Sequence, residues 1–197
     1  MMSDAELYRL ASWSTWISIV TLIVSGIALA IFFAGPGEPF GSINDAAIAV
    51  TLILLIPAVL AVDRLAGARF APMVRIMTIA AIAGIVLAAA GQLLLIARII
   101  TLEDSYITGG LGILPVLAWF VLVAVLSLAG GLLPSTVGWL AIAALGSIVV
   151  TGVVAAVTMG PLLWVACVAL LAVLCAWLAS LAIAFAAVSP APVAVAA

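Results

Sequence analysis

RIMTIAAIAGIVLAAAGQLLLIAR, residues 75–98, carries a charge at each end and none between. The 22 uncharged residues from Arg75 to Arg98 make about 33 Å of helix at 1.5 Å per residue, which matches the hydrocarbon core of a bilayer. This stretch reads as a membrane span bracketed by two interfacial arginines, and it sets the scale for the rest of the chain. Five further apolar stretches are long enough to cross. The six spans are expected at about 11–34, 44–63, 74–100, 111–130, 136–157 and 161–187, a single transmembrane domain over 1–187 with a flexible Pro/Ala tail at 188–197. Each boundary carries a breaker or a cap: GPGEP after the first span, ITGGLG before the fourth, GGLLPS after it, TMGP before the sixth and SPAP at the end. The expected fold class is all-α, a polytopic membrane protein with six transmembrane helices in one bundle.

Composition agrees. Of 197 residues, 70% are hydrophobic and 6% charged, whereas a soluble domain carries about a quarter charged residues because its surface faces water. A net charge of −2 and five scattered arginines offer no basic patch, so nucleic acid is not an expected partner. Cys167 and Cys175 lie within one apolar run, too far apart along a helix to bridge, and read as small packing residues. The apolar run after the N-terminal MMSDAELYRLASW is too long for a signal-peptide core, so an uncleaved first span is expected despite the small residues at 28–30.

Arg9 precedes the first span, and Arg64, Arg69 and Arg75 fall in or beside the loop after the second. Alternating spans put all four on one side, which the positive-inside rule makes cytoplasmic, with both termini there and the protein in the inner membrane. Loops one and three then face outward with Glu38, Asp45, Glu103 and Asp104. Trp13, Trp16, Trp139 and Trp164 sit at span ends, as interfacial anchors do. Spans five and six, joined by a short turn with Pro161 at the first helical position, are expected to be antiparallel neighbours. No convincing inverted repeat of three spans plus three is present.

The loop PGEPFGSINDAA, 36–47, is the most polar window between two apolar runs. Ser42, followed three residues later by Asp45, fits a helix start in which a hydroxyl or carboxylate satisfies unpaired amides. Ser42, Asn44 and Asp45 are therefore expected to be helix caps, which leaves Glu38 solvated. PFGSIND and the later LLPSTVGWLAIAALG, 132–146, resemble small bacterial multi-span proteins grouped under domain-of-unknown-function labels, the DUF4386-like set. That resemblance covers two short motifs, implies a six-helix membrane fold and supplies no catalytic residues.

One outward-facing polar constellation stands out: Gln92 and Arg98 at the end of span three, with Glu103, Asp104 and Tyr106 after it and Asp45 and Glu38 from loop one. Its residue types suit a cationic ligand or a Ca²⁺ ion held by carboxylates. The competing reading is that Arg98 snorkels to the interface and pairs with Asp45, Glu103 or Asp104, lining no transmembrane pore, while Gln92 hydrogen-bonds a neighbouring helix. Asp63 and Arg64 read as an interfacial charge pair. Gly84, Ala88 and Gly91 form a stripe of small residues that lets helices approach closely, and Gly138 and Gly146 do something similar in span five. Trp119 and Trp177, deep inside their spans, are either packing residues or the flanks of a lipophilic ligand such as a quinone or carotenoid pigment.

Absences narrow the chemistry. Without His there is no nitrogen-ligated haem, His-based zinc site or Ser-His protease, and without Lys no Schiff base or Walker loop. No cofactor, metal or catalytic residue is expected, and the chain does not read as an enzyme. The leading expectation is a non-catalytic accessory or scaffold subunit of a membrane complex or homo-oligomer, in contact with membrane lipids and binding lipid or another lipophile. The alternative is a small-solute transporter or channel. Cysteine labelling from outside should reach single cysteines placed at 36–42 and 103–108 but not at 65–72; the reverse pattern would invert the topology.

Overall fold

The computed structural model describes residues 2–158 and 160–188, apart from the side chains of Ala68 and Arg69. The helices are α1 (Asp4–Phe33), α2 (Phe40–Leu54), α3 (Ile56–Leu65), α4 (Gly67–Ile96), α5 (Leu102–Leu128), α6 (Ser135–Val157) and α7 (Pro161–Val188). α2 and α3 together form one membrane-length segment, so the protein is an all-α polytopic membrane protein with six spans in one bundle. Of the expected tail, only Val188 is described, as the last residue of α7; 189–197 lie outside the described residues.

Each span packs on the spans before and after it, and α7 closes on α1, so the six spans form a ring. Contacts mark the antiparallel register around it. Ser12 Oγ donates to the Ala182 carbonyl at 2.9 Å near one end of the α1–α7 pair, and Phe33 meets Trp164 edge-on, centroids 6.0 Å apart, at the other. Thr21 and Thr51 share a 2.7 Å hydrogen bond between α1 and α2, and Thr151 reaches the Ala166 carbonyl at 3.3 Å between α6 and α7. One end of the ring carries the start of α1 and the end of α7 and is called proximal below; the other end is distal.

Residues that face away from the ring are apolar. Ile76, Ile79, Val149, Val153, Val165 and Val168 are all exposed, as lipid-facing residues are, and so are Trp13, Trp16, Trp139 and Trp164 near the helix ends. Several hydroxyls buried inside are satisfied within their own helix: Thr15 donates to the Ala11 carbonyl, Ser18 to Ser14 and Ser127 to Val123, at 2.7, 2.9 and 2.7 Å. The proximal charges form two ion pairs, Arg75 with Asp63 at 3.2 Å and Arg64 with Asp4 at 3.7 Å. Asp63 and Arg64 thus each pair across helices instead of with one another, because successive residues on a helix do not face each other.

Several helix boundaries differ from the sequence expectation, α1 starting at Asp4 and α4 at Gly67 among them. The second span begins at Phe40 and breaks at Leu55, where Pro57 lacks the N–H that an unbroken helix needs. The third ends at Ile96 instead of residue 100. The fourth begins at Leu102, nine residues before 111, so ITGGLG is helical and breaks nothing. Gly109 and Gly110 face open space, but Gly112 serves close approach. A Cβ on Gly112 would lie 2.7 Å from both the Ala88 amide nitrogen and the Gly84 carbonyl oxygen, and one on Gly91 would run into Thr108. The small-residue stripe of α4 is therefore an intramolecular packing surface that seats α5 backbone against backbone. Gly138 similarly abuts Ser127 and Leu128 of α5, whereas Gly146 faces open space.

This contrast gives a paired test in detergent-solubilised protein. Gly112→Ala should lower unfolding stability by about 1–3 kcal/mol through forced separation of α4 and α5. Gly146→Ala, with nothing to strike, should be neutral or raise stability by up to about 1 kcal/mol. A neutral Gly112→Ala would show that the two backbones are not in contact.

Candidate functional site

Two cavities follow one another along the interior. The distal one, about 580 Å³, is walled by the end of α1, the start of α2, the end of α4 and the start of α5. It brings together Gln92, Arg98, Tyr106, Asp45 and Glu38 of the expected cluster and adds Ser42, Asn44 and Ser105. Glu103 and Asp104 are not part of it. Asp104 is held in a capping box at the start of α5, its carboxylate accepting from the Thr101 hydroxyl at 2.7 Å and amide at 3.1 Å, while the Thr101 hydroxyl accepts from the Asp104 amide at 3.2 Å.

The expected caps of the second span are corrected. Because α2 starts at Phe40, Ser42 is already its third residue, and Asn44 and Asp45 lie further inside. The capping group is Glu38, whose Oε2 accepts from the Ser42 amide at 3.3 Å and hydroxyl at 2.9 Å. Asn44, buried, ties α2 to α1 by accepting from Ser25 Oγ at 2.7 Å, and its amide donates to Asp45 Oδ1 at 3.1 Å. A carboxylate offers about four acceptor positions, so Asp45 keeps acceptor capacity directed at further partners.

Arg98 forms none of the three expected pairs: among the described residues its guanidinium has neither an ion pair nor a hydrogen bond, although it shares the cavity with Glu38 and Asp45. The local cause is the ending of α4. The Arg98 amide donates to the Leu95 carbonyl and the Ile99 amide to the Leu94 carbonyl, both at 2.9 Å, the two bonds of a Schellman ending. Arg98 occupies its left-handed position, at φ 56°, and is the one non-glycine with positive φ among the described residues. Glycine is the usual occupant, and a side chain there costs roughly 1–2 kcal/mol. Gln92, half-buried on the same wall, has no helix partner either, contrary to expectation. No group of three or more acidic, Cys or His residues among the described residues is placed to hold a metal ion.

Below lies a cavity of about 200 Å³ lined by α1, α2, α5, α6 and α7. Ile48 belongs to the walls of both cavities. The lining is apolar except for Thr51, whose hydroxyl already donates within α2, to the Ala47 carbonyl at 2.8 Å. Phe120 and Trp177 form part of its wall and stack with centroids 4.0 Å apart, while Trp119 meets both edge-on at 6.0 Å. Trp119 and Trp177 are fully buried, and neither indole N–H has a hydrogen-bond acceptor. An apolar cavity of about 150 Å³ stays dry and admits a single aromatic ring, so this one takes a ring or a short length of chain and not a whole carotenoid. Comparison with protein-family models, with curated proteins and with solved structures found no match.

Sequence reading brought Gln92, Arg98 and Asp45 to one end but missed Glu38 as a cap and Phe120 as a cavity wall. The helix start that turns Glu38 into a cap was signalled only by Pro39, and nothing marked Phe120. If Glu38 caps α2, Glu38→Ala should lower stability by about 0.5–2 kcal/mol and Asp45→Ala by less than Glu38→Ala, measured by unfolding in detergent. The opposite ranking would restore Asp45 as the cap.

Proposed function

We propose that this chain is a non-catalytic integral protein of the bacterial inner membrane that holds a lipophilic molecule inside its helix ring, as an accessory or scaffold subunit in contact with membrane lipids. The observation that carries this reading is the 200 Å³ apolar cavity beside Phe120 and Trp177. A void of that size without an occupant forfeits packing contacts that a stable core otherwise makes, and its lining suits a hydrocarbon. The Arg residues at the proximal end, Arg9, Arg64 and Arg75 among them, support a cytoplasmic proximal face and an outward-facing distal cavity. Absence of His and Lys supports a non-catalytic role.

A second reading, a small-solute transporter or channel, draws on the 580 Å³ distal cavity with its unpaired Arg98 and Gln92 and on the break in the second span. Against it stands the aromatic group Trp119, Phe120 and Trp177, packed together and buried beside the apolar cavity.

The test is to purify the full chain in mild detergent, denature it and analyse the released small molecules by mass spectrometry. Wild type should release a lipophile in roughly stoichiometric amount. Leu174→Trp, which fills the inner cavity, should release at least about tenfold less while still unfolding cooperatively. Equal release from both, or none from wild type, would overturn the proposal.

A further inference from the structure

We infer that the two cavities form one site for a zwitterionic amphiphile, its anionic group at Arg98, its ammonium group at Asp45 and the first part of its chain in the cavity beneath. This rests on the lipophile-binding reading and names the ligand class. The distal cavity falls within the 300–1,000 Å³ usual for small-molecule sites, whereas the inner one, at about 200 Å³, is too small for a whole ligand of that kind. Ile48, shared by the two walls, marks where a polar chamber passes into an apolar one. A molecule with a polar head and an apolar chain matches that change.

Charge selects the head. Arg98 and Asp45 line one chamber without pairing with each other. A purely anionic head would meet Arg98 but face the carboxylates of Glu38 and Asp45, and a purely cationic head would leave Arg98 unanswered. A head with both signs answers both. Guanidinium matches phosphate with two parallel hydrogen bonds, and Asp45 has acceptor capacity that the single bond from Asn44 leaves open. Glu38 is the lesser candidate for the ammonium group because its carboxylate already holds the start of α2. The backbone of Arg98 points the same way: a strained left-handed residue where glycine would be cheaper is a frequent mark of a ligand contact.

Phosphate and ammonium occur together in phospholipid heads and in free phosphoamines, and the test separates them. The full chain in detergent is titrated, with native mass spectrometry as readout, against lysophosphatidylethanolamine, lysophosphatidylglycerol of equal chain length and glycerophosphoethanolamine. The zwitterionic lysolipid should bind at least about tenfold more tightly than the anionic one, and the chainless compound far more weakly than either. Arg98→Gly should weaken both lysolipids at least about tenfold without lowering the unfolding temperature, since glycine suits that backbone. Asp45→Asn should erase the preference for the zwitterionic head. If both lysolipids bind equally and neither substitution matters while Leu174→Trp still abolishes binding, the headgroup assignment fails and the lipophile reading survives. If Leu174→Trp also changes nothing, both fall. Glycerophosphoethanolamine binding as tightly as the lysolipid would overturn the amphiphile and favour the solute reading.

Discussion

In hydrocarbon an unpaired backbone amide costs several kcal/mol, because no water is present to take the hydrogen bond. The whole molecule answers to that constraint. Six helices pair their own amides internally, and many of their buried hydroxyls turn back onto carbonyls three or four residues earlier, as Ser14, Thr15, Ser18, Thr51 and Ser127 do. At Pro57, which lacks an amide, the second segment breaks at Leu55, whereas α4 and α5 run on through Pro72 and Pro115. Three helix starts carry their own side-chain acceptors: Ser3 with Glu6, Thr101 with Asp104, and Glu38 reaching Ser42.

Once every helix is satisfied alone, association depends on shape, since lipid chains are as apolar as the helices they surround. Gly84, Ala88 and Gly112 let α4 and α5 approach backbone to backbone, and threonine and serine contacts join α1 to α2. Closing six such helices into a ring leaves space on the axis. Trp119, Trp177 and Phe185 fill part of it, all fully buried, and the remainder is the 200 Å³ cavity.

The same constraint gives the polar chamber its significance. Arg64 and Arg75 at the proximal end are ion-paired, whereas the distal cavity keeps Arg98 unpaired among the described residues and in an unfavourable backbone state. Gln92 is similarly without a helix partner. Arg98 is exposed at the mouth of this chamber and half-buried Gln92 lies deeper on the same wall, so both leave hydrogen-bonding capacity open there. The indole N–H groups of Trp119 and Trp177 and the Thr78 hydroxyl are also unanswered, but they are buried without a charge near them and are weaker signals.

Hydropathy and charge along the chain sufficed for the number of spans, the apolar outer surface, the small-residue packing of Gly84, Ala88 and Gly91, and the presence of Gln92, Arg98 and Asp45 at one end. These are local properties: twenty apolar residues cross a bilayer whatever their neighbours, and a charge stays near the water it needs. Where helices begin was less legible, because ITGGLG carries the marks of a turn and is nonetheless helical when α4 packs against it. Which acid caps α2 followed from a start two residues ahead of Ser42, and the solitude of Arg98 from the left-handed ending of α4, with Asp104 turned to Thr101 in a capping box. The stacked cavities depend on side chains from six helices, α1, α2, α4, α5, α6 and α7, meeting inside the ring. Only tertiary structure decides that, because the residues are set side by side by closure of the ring and not by any spacing along the chain.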